Sequence, residues 1–216
     1  MNCLIIYAHP HSHSFNHSLL EAVGQKLTAL GATVCIRDLY SLQFNPVYGI
    51  ADIEAARHGT VPADVRREQE FVDHADRVIF VSPLWTTTPP AMLKGYVDRV
   101  LNPARHSAGL GHVAGLLSGK KFAMFSTPDH DIVASVRKAG IHAVPANHGM
   151  PAHHDTSHHQ HEESHTLFKV IGSPLSFHRV LHASGEVSEA TRRQLLSEAE
   201  RLTEQFVGEG GFCPYY

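Results

Sequence analysis

The sequence has one tryptophan, three cysteines and almost no imbalance of charge in 216 residues. Eighteen Lys plus Arg against 21 Asp plus Glu leave a formal net charge of −3, too balanced a sum for a surface that grips phosphate backbones, so no nucleic-acid partner is expected. Long hydrophobic runs are missing as well. The best are Leu4-Ile5-Ile6 and Val78-Ile79-Phe80-Val81, far short of a bilayer span, so no membrane segment is expected. The first strand-like run begins at Cys3, leaving no room for a secretory leader and giving a cytoplasmic reading. Cys3, Cys35 and Cys213 stand far apart with no CxxC, which excludes a disulfide framework and a zinc ribbon. The first two lie in apolar runs and read as reduced thiols. No glycine-rich run precedes a helix start, so a Walker loop is excluded. Against these absences, hydrophobic residues at 43% and charged residues at 18% are those of a folded chain. At roughly 150 residues per domain, residues 1–216 are expected to form one domain. Nineteen histidines are the compositional anomaly.

Apolar runs alternate with helical-period segments, the pattern of a parallel sheet covered on both faces. Strands are predicted at Cys3–Ala8, Ala32–Arg37, Arg77–Ser82, Lys120–Ser126 and Leu175–Leu181. Ser14 reads as the cap of a helix over Phe15–Leu30, with Leu19, Leu20, Val23, Leu27 and Leu30 on one face and Gly31 ending it. Further helices are predicted over Pro62–His74, from Pro89-Pro90 to Leu101, near Thr166–Ile171 and over Ser188–Val207. Residues 41–60 read as irregular. Five strands with right-handed crossovers give an α/β chain: a flavodoxin-like, doubly wound five-stranded parallel sheet in three α/β/α layers.

Ligands in such sheets bind beyond the carboxyl ends of the strands, where strand order switches. The loop after the first strand reads Ala8-His9-Pro10-His11-Ser12-His13-Ser14-Phe15-Asn16. Amides at a helix start, with the positive end of the helix dipole, make an anion site, and His9, Ser14 and Asn16 add side-chain donors. The functional reading is a phosphate cradle; the alternative is a capped helix with a polar lead-in. After the third strand comes Ser82-Pro83-Leu84-Trp85-Thr86-Thr87-Thr88-Pro89-Pro90. It is a proline-stiffened strip whose apolar surface and amides suit a planar heterocycle, or whose Trp85 simply packs in the core. Gly109-Leu110-Gly111-His112-Val113-Ala114 fits G-x-G-x-x-A, yet no buried strand precedes it and no acidic residue follows at the required interval, so it reads as a rim loop.

AHPHSHSFN-HSL followed by ADRVIFVSPLWTTTPPAMLKGYVDRVL resembles the flavodoxin-fold NAD(P)H:quinone oxidoreductase family, over residues 1–126 and again over 164–207. The resemblance implies that His9, Ser14, Phe15 and Asn16 hold the phosphate of a flavin, FAD or FMN. It implies that Pro83, Leu84, Trp85 and Thr86 line the isoalloxazine. The family's third motif, Thr-Thr-Gly-Gly, stands here as Ser126-Thr127-Pro128-Asp129. Thr127 matches, Pro128 has no N–H to give, and Asp129 would place a carboxylate near the pyrimidine end of the ring. Gly140-Ile141-His142 resembles the family's Gly-Ile-His element, with His142, or His106, as a candidate proton donor near neutral pH. Both can equally be polar rim residues. The implied reaction moves a hydride from NAD(P)H through flavin N5 to a quinone-like two-electron acceptor, in a homodimer.

The histidine excess concentrates in 142–165, which hold eight of them, inside a segment 127–165 that departs from the family and reads as an inserted lid. If 153–170 is helical, His154, His158, His161 and His165 fall on one stripe, and neighbouring imidazoles on such a stripe can chelate zinc or another transition metal. A soluble His-biased insertion is the other reading. Two alternative functions follow from these departures. One is a metal-binding or sensing scaffold on the same fold; the other is a regulatory oxidoreductase subunit of a transporter.

Overall fold

The computed structural model describes residues 1–85, 88–102, 116–128, 175–182 and 187–208. Five strands, β1 (Asn2–Tyr7), β2 (Thr33–Asp38), β3 (Arg77–Leu84), β4 (Lys121–Pro128) and β5 (Leu175–Val180), form one all-parallel sheet in the order β2-β1-β3-β4-β5. The order switches between β1 and β3, as a doubly wound sheet requires.

The inner strands β1, β3 and β4 read as unbroken hydrophobic runs because they are buried on both faces, whereas β2 at the sheet edge is only part-buried, with Ile36 46% exposed. Alternate side chains of β1 divide between two cores: Cys3, Ile5 and Tyr7 enter one, Leu4 and Ile6 the other. The same alternation separates Ile79 and Val81 from Val78 and Phe80, and Ala123 and Phe125 from Phe122 and Met124. The first core is closed by α1 (Phe15–Ala29) and α5 (Glu189–Val207), through Leu19, Val23, Leu27, Leu202 and Phe206. The second is closed by α3 (Ala63–Asp73) and α4 (Ala91–Tyr96), through Val65, Val72, Leu93 and Tyr96. Both cysteines within the described residues, Cys3 and Cys35, are free thiols, and burial raises the pKa of each, making them poor nucleophiles.

Ser14 caps α1 as its sequence predicts, its hydroxyl oxygen accepting from the His17 N–H at 3.2 Å. Gly31, at φ +79°, turns the chain into β2. Leu30 does not join the apolar face. It is the cap residue, 37% exposed, because the helix has ended before it.

Residues 41–60, expected to be irregular, contain α2 (Ile50–Arg57). Its sequence carries little helical periodicity, and tertiary anchors hold it instead. Asp52 accepts from the Gly49 N–H at 2.9 Å and from Arg99 Nε at 2.8 Å. Arg99 also donates to the Asn45 carbonyl and to Asp64 of α3, so one 3%-exposed arginine ties the strap of residues 41–60 at two points to this face and to α3. Arg99 can do so because the helix expected to run to Leu101 is α-helical only through Tyr96, then widens into a π turn over Val97–Leu101. The Gln69 side-chain amide donates to the Val100 carbonyl at 3.1 Å within that turn. Strands β3 and β4 each run two residues beyond expectation. Pro83, Leu84, Thr127 and Pro128 are therefore sheet residues paired in register, and the divergent segment bounded at 127 begins inside β4. The helix expected at Thr166–Ile171 lies outside the described residues.

Candidate active site

The carboxyl ends of β1, β3 and β4 converge at the switch point, and their residues touch. Asn16, in the first turn of α1 and 4% exposed, donates from Nδ2 to Thr127 Oγ1 at the end of β4, at 2.7 Å across 111 residues of sequence. Its Oδ1 is buried without a hydrogen-bonding partner, an arrangement whose cost falls only when a donor arrives from outside. The first turn of α1 carries no acidic residue, so nothing in it cancels the partial positive charge of the helix start. The Phe15 ring is core, 8% exposed, with the Arg192 guanidinium 5.4 Å from the ring centroid, which puts a cation near the start of α1.

His9 stands at the other side of this loop, its ring centroid 6.4 Å from that of Trp85. The His11 N–H donates to His9 Nδ1 at 3.1 Å. The same Nδ1 lies 3.2 Å from the His11 carbonyl oxygen, so it meets both a donor and an acceptor of that residue, and burial lowers the His9 pKa below its ordinary value.

The strip after β3 differs in detail from its sequence reading. Leu84 is 1% exposed and packs in the second core, so its side chain is structural. Trp85 closes a tight turn with Thr88. Its N–H donates to the Thr88 carbonyl at 2.8 Å and its carbonyl accepts from the Thr88 N–H at 3.2 Å, so its amide is spent on the turn. Its half-buried indole beside His9 is what it presents. Ser82 and Ser126 pair in register behind the strip. The Ser126 hydroxyl lies 3.0 Å from Nε2 of His178, a fully buried histidine that sequence reasoning had left inside a strand.

Sequence reasoning also passed over Tyr7, His17 and Asp38, which line a cleft beside His9. Tyr7 was hidden in an apolar strand, and Asp38 read as a strand end. Thr86, His106, the 109–114 loop, Asp129, Gly140-Ile141-His142 and the stripe of His154, His158, His161 and His165 lie outside the described residues. Among the described residues no group of three His, Cys, Asp or Glu side chains is placed to hold a metal ion, and no helix is long and apolar enough to cross a membrane.

A five-stranded parallel sheet in the order β2-β1-β3-β4-β5 defines the flavodoxin-like class, and the sequence profile of that fold family matches residues 1–203. Ribosyldihydronicotinamide dehydrogenase (quinone) of Mus musculus is 33% identical, over 99% of this chain and 96% of its own length. An uncharacterized NAD(P)H oxidoreductase of Haemophilus influenzae is 39% identical over 59% of this chain and 64% of its own. An NAD(P)H:quinone oxidoreductase from Methanothermobacter marburgensis shares the fold, with a TM-score of 0.69 at 22% identity over 97% of this chain and 98% of that one. The chain belongs to the flavodoxin-fold NAD(P)H:quinone oxidoreductase family, and on that ground it is an oxidoreductase.

Proposed function

We propose that this chain is a flavin-dependent NAD(P)H oxidoreductase acting on quinone-like two-electron acceptors. The observation that carries the proposal is Asn16. A buried amide tied to Thr127 on one side and unsatisfied on the other sits where a helix start, the His9 imidazole and a nearby arginine can together hold an anionic tail. Bound flavin would supply the redox chemistry, accepting a hydride equivalent from NAD(P)H and passing two electrons on.

The chain's own groups do the rest. The amides of Phe15 and Asn16, the Ser14 hydroxyl and the His9 imidazole bind phosphate, with Arg192 adding charge. The Asn16–Thr127 hydrogen bond fixes the distance between the α1 start and the end of β4. Pro83 and the Trp85–Thr88 turn form a stiff wall at the end of β3, and the Trp85 indole restricts water beside it. By its resemblance to the family motif Thr86 is the further candidate for lining the isoalloxazine, and His142 is the candidate that protonates the reduced acceptor. The dimer the family implies is supported by an apolar row on one short stretch, where Leu42, Val47, Ile50 and Ile53 are 44%, 65%, 74% and 42% exposed.

The test is the visible spectrum and NAD(P)H:quinone turnover of the purified protein, beside Asn16→Ala. The native protein is expected to be yellow and active, and the variant to lose bound flavin at unchanged helical content. A colourless native protein that takes up neither FMN nor FAD refutes the proposal.

A further inference from the structure

A cleft of about 560 Å³ opens beyond the carboxyl ends of β1 and β2, within the range of nucleotide-sized sites. His9 lines it and also stands beside Trp85, so the cleft shares a wall with the strip where the redox chemistry is placed. Two polar atoms of its lining residues, Tyr7 Oη and His17 Nδ1, are buried without a well-formed hydrogen bond, Tyr7 Oη having only the Ser14 side chain close by. Tyr7 is 1% exposed, and its ring packs edge-on against that of His17 at 6.0 Å. Buried hydroxyls and ring nitrogens left this way are groups awaiting a ligand or a water.

The cleft also holds a carboxylate whose acceptor sites are nearly but not fully used. Asp38 Oδ1 accepts from the Tyr40 and Ser41 amides, both at 3.1 Å, and Oδ2 accepts from Ser41 Oγ at 2.6 Å. A carboxylate has about four acceptor positions, so one remains. These bonds also hold Asp38 rigid at the end of β2. In dinucleotide-binding α/β sheets a carboxylate at the end of the second strand accepts from a ribose 2′-hydroxyl, and Asp38 stands at the corresponding place at the end of β2.

On the reading given above, we infer that the cleft receives the adenosine ribose of the pyridine nucleotide, and that Asp38 selects the free 2′-hydroxyl, making NADH rather than NADPH the reductant. A 2′-hydroxyl donates to the open acceptor of Asp38. A 2′-phosphate brings a charge of about −1.5 to −2 against the same carboxylate and has no proton to share with it. Tyr7 Oη and His17 Nδ1 are placed to bond the remaining ribose or base atoms.

The test uses the protein as purified and after exchange into its FMN and FAD forms, titrated calorimetrically with ADP-ribose and with 2′-phospho-ADP-ribose. The native protein is expected to bind ADP-ribose at least tenfold more tightly. Asp38→Asn, which keeps an oxygen for the two amides, is expected to bring the two ligands within about twofold. Tyr7→Phe is expected to weaken ADP-ribose several-fold and to raise KM for NADH with kcat unchanged. Equal binding of the two ligands by the native protein overturns the inference, and so does an Asp38→Asn ratio equal to the native one. Binding to the FMN form but not the FAD form also overturns it, because the occupant would then be the flavin's own adenosine. Failure of the redox reading shows separately, as a protein without colour or turnover, whatever ADP-ribose does.

Discussion

Gly95 and Gly24 both sit inside helices, and an alanine at each should have opposite consequences. A Cβ at Gly95, on α4, would lie 2.2 Å from the Pro46 carbonyl oxygen, 2.4 Å from Pro46 Cβ and 2.6 Å from its Cα. None of these atoms is the free end of a side chain, so relief requires moving the strap. The strap resists, because Arg99 holds Asn45, Asp52 and Asp64. Overpacking of this kind costs about 3 kcal/mol, and the helix preference of alanine over glycine returns about 1 kcal/mol, leaving a net loss of about 2 kcal/mol. In a chain of this length, each kcal/mol lowers Tm by roughly 2–4 °C, so Gly95→Ala should melt about 4–8 °C below the native protein. At Gly24, in α1, the nearest contact for a new Cβ is Ile5 Cδ1 at 3.9 Å, an ordinary packing distance. Gly24→Ala should therefore be neutral or up to about 1 kcal/mol stabilising. Urea unfolding and calorimetry of the two variants measure both signs. A Gly95→Ala protein as stable as Gly24→Ala would refute the close passage of the strap over α4.

Arg99→Met should cost about 3–5 kcal/mol, read as a lower urea midpoint, because it leaves the buried Asp52 carboxylate without its cation. Burial raises the Asp64 pKa, but its hydrogen bond and charge contact with Arg99 more than reverse this and set it below its ordinary 3.8. Its stabilisation is therefore complete above that value and lost as pH falls through the lower folded one; Asp64 is half exposed, so the loss is modest. Asp64→Asn should flatten the acid limb of a stability-versus-pH curve below pH about 4, and an unchanged slope would remove Asp64 from the acid response. Ile50→Glu places a charge in the apolar row, and light scattering should find the native protein dimeric and this variant shifted toward monomer. A monomeric native protein would end the dimer reading.

The sheet was legible in the sequence because its inner strands are covered on both faces and appear as short apolar runs. Its neighbours are helices with ordinary signals, such as Ser14 before α1 and Ser188 before α5. The loop after β1 was legible for the same local reason: a strand, a polar turn and a capped helix start are contiguous in the chain. α2 was not, since it is held by Arg99 from 47 residues away. The π turn was equally hidden, because widening a helix is settled by what the side chains must reach.

What the sequence determined alone is the alternation of elements and the residue types gathered at the first and third strand ends, since these follow from period and neighbour. Only the tertiary structure decided which of those residues work through side chains and which through backbone. Packing turned the Leu84 and Phe15 side chains into core, while the Thr88 pairing consumed the Trp85 amide. It also brought Asn16 to Thr127, and Tyr7 and His17 to one cleft with Asp38. Those meetings join strands far apart in the chain, and no local pattern encodes a contact whose partner lies on another strand.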